Sequence, residues 1–482
     1  MNKNLPRLLL RAGLFALLGG CATHSDIATT AHLRDADSFG ALPVAANANA
    51  QKPNQDFWKQ LGDPQLDALI AEALADSPTL NVADARMRRA AAMIDVARSA
   101  LMPDVNASFD STAQRFSEKY IYPPPFAGSY RTDNRLALNA GWNLDLWGKD
   151  RSALKSAEAQ RNLLQVESRA ARIALSTSIG RAWVELDREF KQRDQIDAMI
   201  ATRSELENLQ AIRVKAGLDA EFDRFSQRQN LASLRVERAQ MDERIDLQRN
   251  MISALLGKGP ERSASLPQPK LNPQVEAGLP SVLPSDLLAN RPDVLISRWR
   301  VEAALRDVDV ARADFYPTVN LKAFLGFQSI GIDNLLDPKA RILGIGSAIR
   351  LPIFEAGRLR ADLAGKTADY DAAVDQYNAT LIDALHDVSD QARSLDGAQH
   401  EAEEAAQGVA AAQHSVMLVE QRIKERLSSR IQLLTAQAQV LILQRAELDL
   451  RARRLDAALA LERALGGGFS PDVNPFTLAA IK

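Results

Sequence analysis

One side chain in this sequence has chemistry that no other residue can share. Cys21 is the only cysteine, so a disulfide within the chain is impossible and its thiol is free for covalent modification. The other reactive types form no catalytic set. The five histidines pair with no second His, Cys or carboxylate at metal-ligand spacing. Gly466-Gly467-Gly468 lacks the Lys-Ser/Thr that would make a phosphate loop, so it reads as a helix terminator and any energy source must lie elsewhere. The chain is therefore expected to be no enzyme, with no metal and no cofactor beyond a covalent lipid on Cys21. A net charge of −2 gives no reason to expect a nucleic-acid partner.

The setting of Cys21 says what would be attached. Residues 1–20 carry Lys3, Arg7 and Arg11, a short apolar run Leu14-Phe15-Ala16-Leu17-Leu18, then Gly19-Gly20. This is a signal peptide whose apolar run is too short to span a bilayer, which takes roughly 20 residues. Leu18-Gly19-Gly20-Cys21 resembles a bacterial lipobox, in which the cysteine sulfur takes a diacylglyceryl group and the new N-terminus is acylated. Ala22, rather than Asp, follows, and by resemblance to bacterial lipoproteins this favours the outer membrane.

The rest of the chain is a duplication. Ser77-Pro78-Thr79-Leu80 and Leu101-Met102-Pro103-Asp104-Val105-Asn106 match Arg291-Pro292-Asp293-Val294 and Phe315-Tyr316-Pro317-Thr318-Val319-Asn320 at an offset of 214. Leu144-Asp145-Leu146-Trp147 matches Leu351-Pro352-Ile353-Phe354, Arg213-Val214-Lys215 matches Arg422-Ile423-Lys424, and Leu256-Gly257 matches Leu465-Gly466, in the same order. A Pro-rich stretch joins the copies. The expected organisation is a signal peptide (1–20), a lipid-anchored N-terminal segment (21–75), a first repeat (76–257), a linker (258–289), a second repeat (290–466) and a tail (467–482).

Each copy reads as helix, two strands, then a long helical hairpin. No proline occurs between Pro125 and Pro260 or between Pro352 and Pro471, so nothing interrupts helices from about Asp150 to Lys215 and from about Gly357 to Glu425. Each would be on the order of 100 Å long. Leu434, Leu441, Leu448 and Leu455 recur every seven residues, followed at the second seam position by Ala438, Arg445, Ala452 and Leu459. Leu231, Leu234, Met241, Ile245, Ile252 and Leu255 step similarly in the first copy. These are coiled-coil seams, with Arg445 as the exception.

The strands alternate. Leu136, Leu138, Ala140, Trp142, Leu144 and Leu146 share one face opposite Asn139, Asn143 and Asp145; Val319, Leu321, Ala323, Leu325 and Phe327 oppose Asn320, Lys322 and Gln328. Val105, Ala107 and Phe109 begin another strand, and Ile345, Ile349, Leu351 and Ile353 a fourth, with Ser347 as its small member. Alternation alone also fits a half-buried soluble sheet. With a lipobox and duplicated placement it points to a transmembrane barrel, apolar outward and polar inward. Four strands cannot close a barrel, and an open edge in lipid is prohibitive, so several chains must contribute.

Phe57-Trp58-Lys59-Gln60-Leu61-Gly62-Asp63-Pro64-Gln65-Leu66-Asp67, the repeated helix-to-strand joints, Leu144-Asp145-Leu146-Trp147-Gly148 and Leu351-Pro352-Ile353-Phe354 resemble the TolC/OprM outer-membrane efflux family, in its NodT-type lipoprotein branch. The resemblance implies a mainly α fold with a β-barrel part. It implies a homotrimer in which each subunit gives four strands to one twelve-stranded barrel in outer-membrane lipid and its helices to a periplasmic tunnel. It further implies a periplasmic adaptor and an inner-membrane pump as partners, passive export of small molecules such as drugs or aromatic compounds, and extracellular loops at Glu118–Ser129 and Gly331–Ala340. A periplasmic coiled-coil adaptor or scaffold lipoprotein is the competing reading. It would share the long helices but not the two pairs of amphipathic strands.

In this family the hairpin tips close the tunnel. The tips here are Ala216-Gly217-Leu218 and Glu425-Arg426-Leu427, with Asp219 and Ser428 expected as the next N-caps. Asp223, six residues after Gly217, matches the family's aperture carboxylate; in the second copy Arg426 stands for the glycine, and Gln432 and Thr435 stand where aspartates often occur. Asp219, Glu221 and Asp223 are opposite in charge to Arg426 and Arg430, so ion pairs between hairpins are expected to hold the tip shut.

Overall fold

In a computed structural model the described residues are 26–35, 56–272 and 290–468. Cys21, the signal peptide, most of the linker and the tail from 469 lie outside them. The helices are α1 (Pro64–Asp76), α2 (Pro78–Ser99), α3 (Lys149–Lys215), α4 (Glu221–Leu255), α5 (Pro292–Ala313), α6 (Arg358–Lys424) and α7 (Arg430–Ala464), with strands β1 (Asp104–Arg115), β2 (Tyr130–Leu144), β3 (Thr318–Ile330) and β4 (Arg341–Arg350).

The duplication holds residue for residue. α2 and α5 have 22 residues each, α3 and α6 have 67, and α4 and α7 have 35. Both long helices begin after a left-handed glycine, Gly148 or Gly357. Both end in the same paired hydrogen-bond turn: Leu218 N–H reaches Arg213 O and Gly217 N–H reaches Val214 O, while Leu427 reaches Arg422 O and Arg426 reaches Ile423 O. The matched Arg-Val-Lys and Arg-Ile-Lys triplets are thus the carbonyl side of the two turns. Gly217 has φ +72°, and Arg426 takes the same left-handed conformation at φ +59° although it carries a side chain.

Two other duplicated glycines join helices end to end. A side chain at Gly257 would meet Pro78 at 2.7 Å, and one at Gly466 would meet the Asn290 carbonyl at 3.3 Å. The end of α4 therefore abuts the start of α2, and the end of α7 the start of α5. Arg291 secures the second joint: it is buried and donates to Ala464 O (2.7 Å), to Ala384 O (3.4 Å) on α6 and to Asp387 (3.2 Å). Four columns result. α3 packs against α4, α2, α5 and α7, and α6 packs against α5 and α7, giving the order α4/α2, α3, α7/α5, α6.

The core lies at the mid-height of these columns, where Phe57, Trp58, Leu61, Leu66 and Ile70 close on Trp183, Leu186 and Phe190. Asp63 organises it. Buried at 3% exposure, its carboxylate accepts from Trp183 Nε1 (2.9 Å), from Lys270 N (2.8 Å) and from Gln65 N, the last as the N-cap of α1. The Phe57–Asp67 motif is therefore a clamp that ties the N-terminal segment and the linker to α3.

Three expectations need correction. The N-caps fall one residue later, at Ala220 and Ser429, because Asp219 is turned back onto Arg213 and Ser429 forms a full capping box with Gln432. Strand β2 ends at Leu144 and β4 at Arg350, so Leu146, Leu351 and Ile353 lie in the joints beyond the sheet. Leu441 and Leu448 are half-buried rather than core, while Leu434, Ala438, Ala452, Leu455 and Leu459 are buried. The seam exception, Arg445, forms an ion pair with Glu237 of α4.

Candidate functional site

The four strands form one antiparallel sheet in the order β1-β2-β3-β4. Its register sorts the two faces, since residues paired across antiparallel strands project to the same side. Leu138 pairs with Ala107 and Leu325, and Leu325 with Leu343; Ala140 pairs with Val105 and Ala323, and Ala323 with Ile345. This face is apolar and open to its surroundings: Leu138 is 53%, Leu325 54%, Leu343 75% and Ile345 90% exposed.

The opposite face is polar. Asn139 donates to Asn106 (3.3 Å) and Ser108 (3.1 Å), Gln328 to Asp133 (3.1 Å), and the Arg135 guanidinium sits 5.3 Å from the Phe324 ring. Among the described residues no α-helix packs extensively against either face. An exposed apolar face with an amide-lined reverse has the division of a barrel wall between lipid and water. Among the described residues the outer strands β1 and β4 each pair on one side only, so these four strands leave the wall open.

Aromatic anchors stand at the base of the wall. Trp147 stacks on Tyr316 at 4.8 Å and donates to Pro317 O (2.8 Å), and Trp142 donates to Leu101 O (3.0 Å). Rings with one polar tip suit a membrane interface. The loops predicted at 118–129 and 331–340 fall between the strands of each hairpin. Among the described residues no helix is long and apolar enough to cross a membrane, and no cluster could hold a metal ion.

At the far end are the two hairpin tips. Arg213 and Asp219 pair at 2.7 Å within the first tip, and the Arg213 bond holds the Asp219 carboxyl below its ordinary range. Arg430 pairs in two places with Glu205 of α3, at 2.7 and 3.0 Å, and lowers the Glu205 pKa. This links the two hairpins of one chain. Glu205 went unseen in the sequence because nothing marks a pair 225 residues apart. Glu221 lies 4.0 Å from Arg224 of its own helix.

Gln432 is committed to the capping box, and the Thr435 hydroxyl donates to Ile431 O at 2.9 Å. Asp223 and Arg426 stand exposed at the tips. Within one chain, then, Arg430 and Asp219 engage Glu205 and Arg213 rather than each other. Higher on the columns, burial pushes the Glu189 and Glu462 carboxyls up to about 7, with repulsion from Glu185 adding to the first.

The profile of the outer membrane efflux protein family matches residues 69–258 and 283–467, one block per repeat. The chain is 31% identical over 482 residues to multidrug resistance outer membrane protein MdtP of Shigella flexneri, covering 97% of this chain and 98% of that protein. It is 34% identical over 359 residues to fusaric acid resistance protein FusA of Burkholderia cepacia, covering 73% of this chain and 67% of that one. Among solved structures, the outer membrane protein VceC of Vibrio cholerae superposes with a TM-score of 0.78 at 35% identity, covering 87% of this chain and all of that one. With its barrel-wall sheet, its duplicated helical hairpins and matches across both halves, the chain belongs to the outer membrane efflux protein family and is an outer-membrane channel.

Proposed function

We propose that the chain is the exit duct of a tripartite efflux system, in which three copies close a twelve-stranded barrel above a continuous helical tunnel. An inner-membrane pump and a periplasmic adaptor supply substrate and energy. The observation that carries this reading is the four-stranded sheet with an open apolar face and two unpaired edges, fused at each repeat to helices of 67 residues. Small drugs and aromatic acids are the cargo class, following the multidrug and fusaric acid resistance relatives. The membrane-extracted protein is expected to run as a heat-dissociable oligomer and to give single channels in a planar bilayer. A monomer without conductance would return the chain to the adaptor or scaffold class.

The proposal includes a lipid on Cys21. Residues 26–35 lie along α6 in the direction of its course. Asp26 pairs with Arg360 near the start of α6, Thr30 N–H donates to Asp371 (3.0 Å), and Arg34 N–H donates to Asn378 (2.9 Å). The segment therefore enters at the barrel end. Four residues lie between Cys21 and Asp26, and the five Cα steps reach up to ~18 Å, enough to seat acyl chains in the adjacent leaflet. Mass spectrometry of the mature N-terminus is expected to show acylated Cys21, and Cys21→Ser is expected to lose the lipid while remaining in the membrane. A mature chain that starts elsewhere without lipid would refute the anchor.

The resting aperture lies at the hairpin tips, held by exposed ion pairs that an adaptor can undo. Arg430 holds one hairpin to the other through Glu205, and Asp223, Glu221 and Arg426 are placed to pair between copies. Arg430→Gln combined with Asp223→Asn is expected to raise single-channel conductance and sensitise cells to large antibiotics. High salt should act on the parent in the same direction by screening. Parental conductance at every salt concentration would assign closure to packing, with Leu218 and Leu427 as the exposed tip candidates.

A further inference from the structure

Helix α4 carries an apolar stripe that the described residues of its own chain leave exposed. Phe225, Val236 and Leu247 are 60%, 59% and 60% exposed and stand 11 residues apart. Eleven residues complete three turns, so the three share one line on the helix. At ~100° per residue this line lies opposite Leu231, Arg238, Met241 and Ile245, the positions that meet α3 through burial or through the ion pair to Asp197. The stripe thus faces away from the columns of its own chain.

A complementary surface exists on α6. Gly397 and Gly408, also 11 residues apart, have nothing within 4 Å of where a side chain would stand. Their line lies opposite the α6 residues buried in the core, such as Val388 and Leu395. Nearer the tip the same side opens into a groove lined by Ser415, Leu418, Val419, Gln421, Arg422 and Glu425. Within one chain α4 and α6 occupy the two ends of the column order and do not pack together.

The heights match. Counted from the tip residues Gly217 and Arg426, Phe225 and Leu418 each lie 8 residues away, Val236 and Gly408 lie 19 and 18, and Leu247 and Gly397 lie 30 and 29. α4 runs away from its tip and α6 toward its own, so the alignment is antiparallel. Copies related by rotation about the tunnel axis have no shift along it. The sheet edges set the neighbour: β4 of one copy must meet β1 of the next, which places α6 of one copy beside α4 of the next.

We infer that Phe225, Val236 and Leu247 of one subunit seat against the Leu418 groove, Gly408 and Gly397 of its neighbour, and that this antiparallel knob-into-hole line sets the register of the tunnel wall. The occupant is a second copy of this chain, and the inference rests on the channel reading above.

Cysteine pairs in the full-length, membrane-inserted protein test it. Phe225→Cys with Leu418→Cys, and Val236→Cys with Gly408→Cys, are expected to give mostly covalent oligomer on non-reducing gels after mild oxidation. The mismatched pair Val236→Cys with Leu418→Cys should give at least ten-fold less. Separately, Gly408→Val should reduce the native oligomer several-fold, and Val236→Ala in the same chain should restore it by emptying the opposing position. An intact oligomer in which matched and mismatched pairs cross-link alike, or in which Gly408→Val has no effect, overturns the register while leaving the channel reading in place; its α4 stripe would then face another protein. A parent that is monomeric in membranes overturns both.

Discussion

Leu138→Arg and Leu325→Arg are each expected to abolish assembly in the outer membrane. The two residues are cross-strand partners on the exposed apolar face, near the middle of β2 and β3. A guanidinium there would face hydrocarbon in every copy, at a cost of roughly 2–4 kcal/mol per site near the midplane. Rotation around the barrel multiplies that cost by the number of copies. Asn139→Asp, one residue along on the polar face, exchanges two weak amide bonds for a hydrated carboxylate and should insert normally. Folding can be read from heat-dissociable oligomer in isolated outer membranes. Equal yields from all three variants would contradict the assignment of lipid and water to the two faces.

The second large effect is expected far from the membrane. Asp63→Ala removes the N-cap of α1 and leaves the buried Trp183 indole N–H and the part-buried Lys270 amide without their acceptor. Loss of a cap costs about 1 kcal/mol, and the orphaned buried indole donor about 1–3 kcal/mol, so the destabilisation should be about 2–4 kcal/mol. Asp63→Asn keeps an acceptor oxygen and should lose less. Lys59→Ala, an exposed neighbour whose bond to Asp56 lies at the surface, should lie within about 0.5 kcal/mol of the parent. Thermal unfolding of the detergent-extracted oligomer, with limited proteolysis at the linker as a second readout, separates the three. An Asp63→Ala protein as stable and as protease-resistant as Lys59→Ala would remove the clamp from the description.

These two predictions mark what local pattern encodes. The strand faces were legible because period-two alternation is a property of consecutive residues. The helix spans were legible because proline and glycine act where they stand: α3 and α6 end within one residue of the expected Lys215 and Glu425. The repeat offsets located the joints for the same reason. What the residues in order could not reveal was partnership. Asp63 reads as one polar residue in a motif until the fold places Trp183 and Lys270 against it, 120 and 207 residues away.

The tips show the division most clearly. Charges of opposite sign near Gly217 and Arg426 were visible in the sequence, and so was the departure from glycine in the second copy. Their pairing was decided by tertiary structure: Arg430 reaches Glu205, Asp219 reaches Arg213, and Gln432 turns back to its own helix start. Long flexible side chains choose among several partners within a few ångströms, and only the approach of α7 to α3 selects one. The stripe on α4 has the opposite history. Its 11-residue spacing is written in the sequence, but it is hidden among other apolar positions until burial separates those that face α3 from those that face outward. The sequence by itself determined the elements, their lengths, their two-fold repetition and the sidedness of the sheet, because these follow from periodicity and from residues that interrupt it. The tertiary structure alone decided which distant polar groups satisfy each other and which apolar surfaces remain for another copy, because burial and hydrogen-bond partnership are properties of the packed columns.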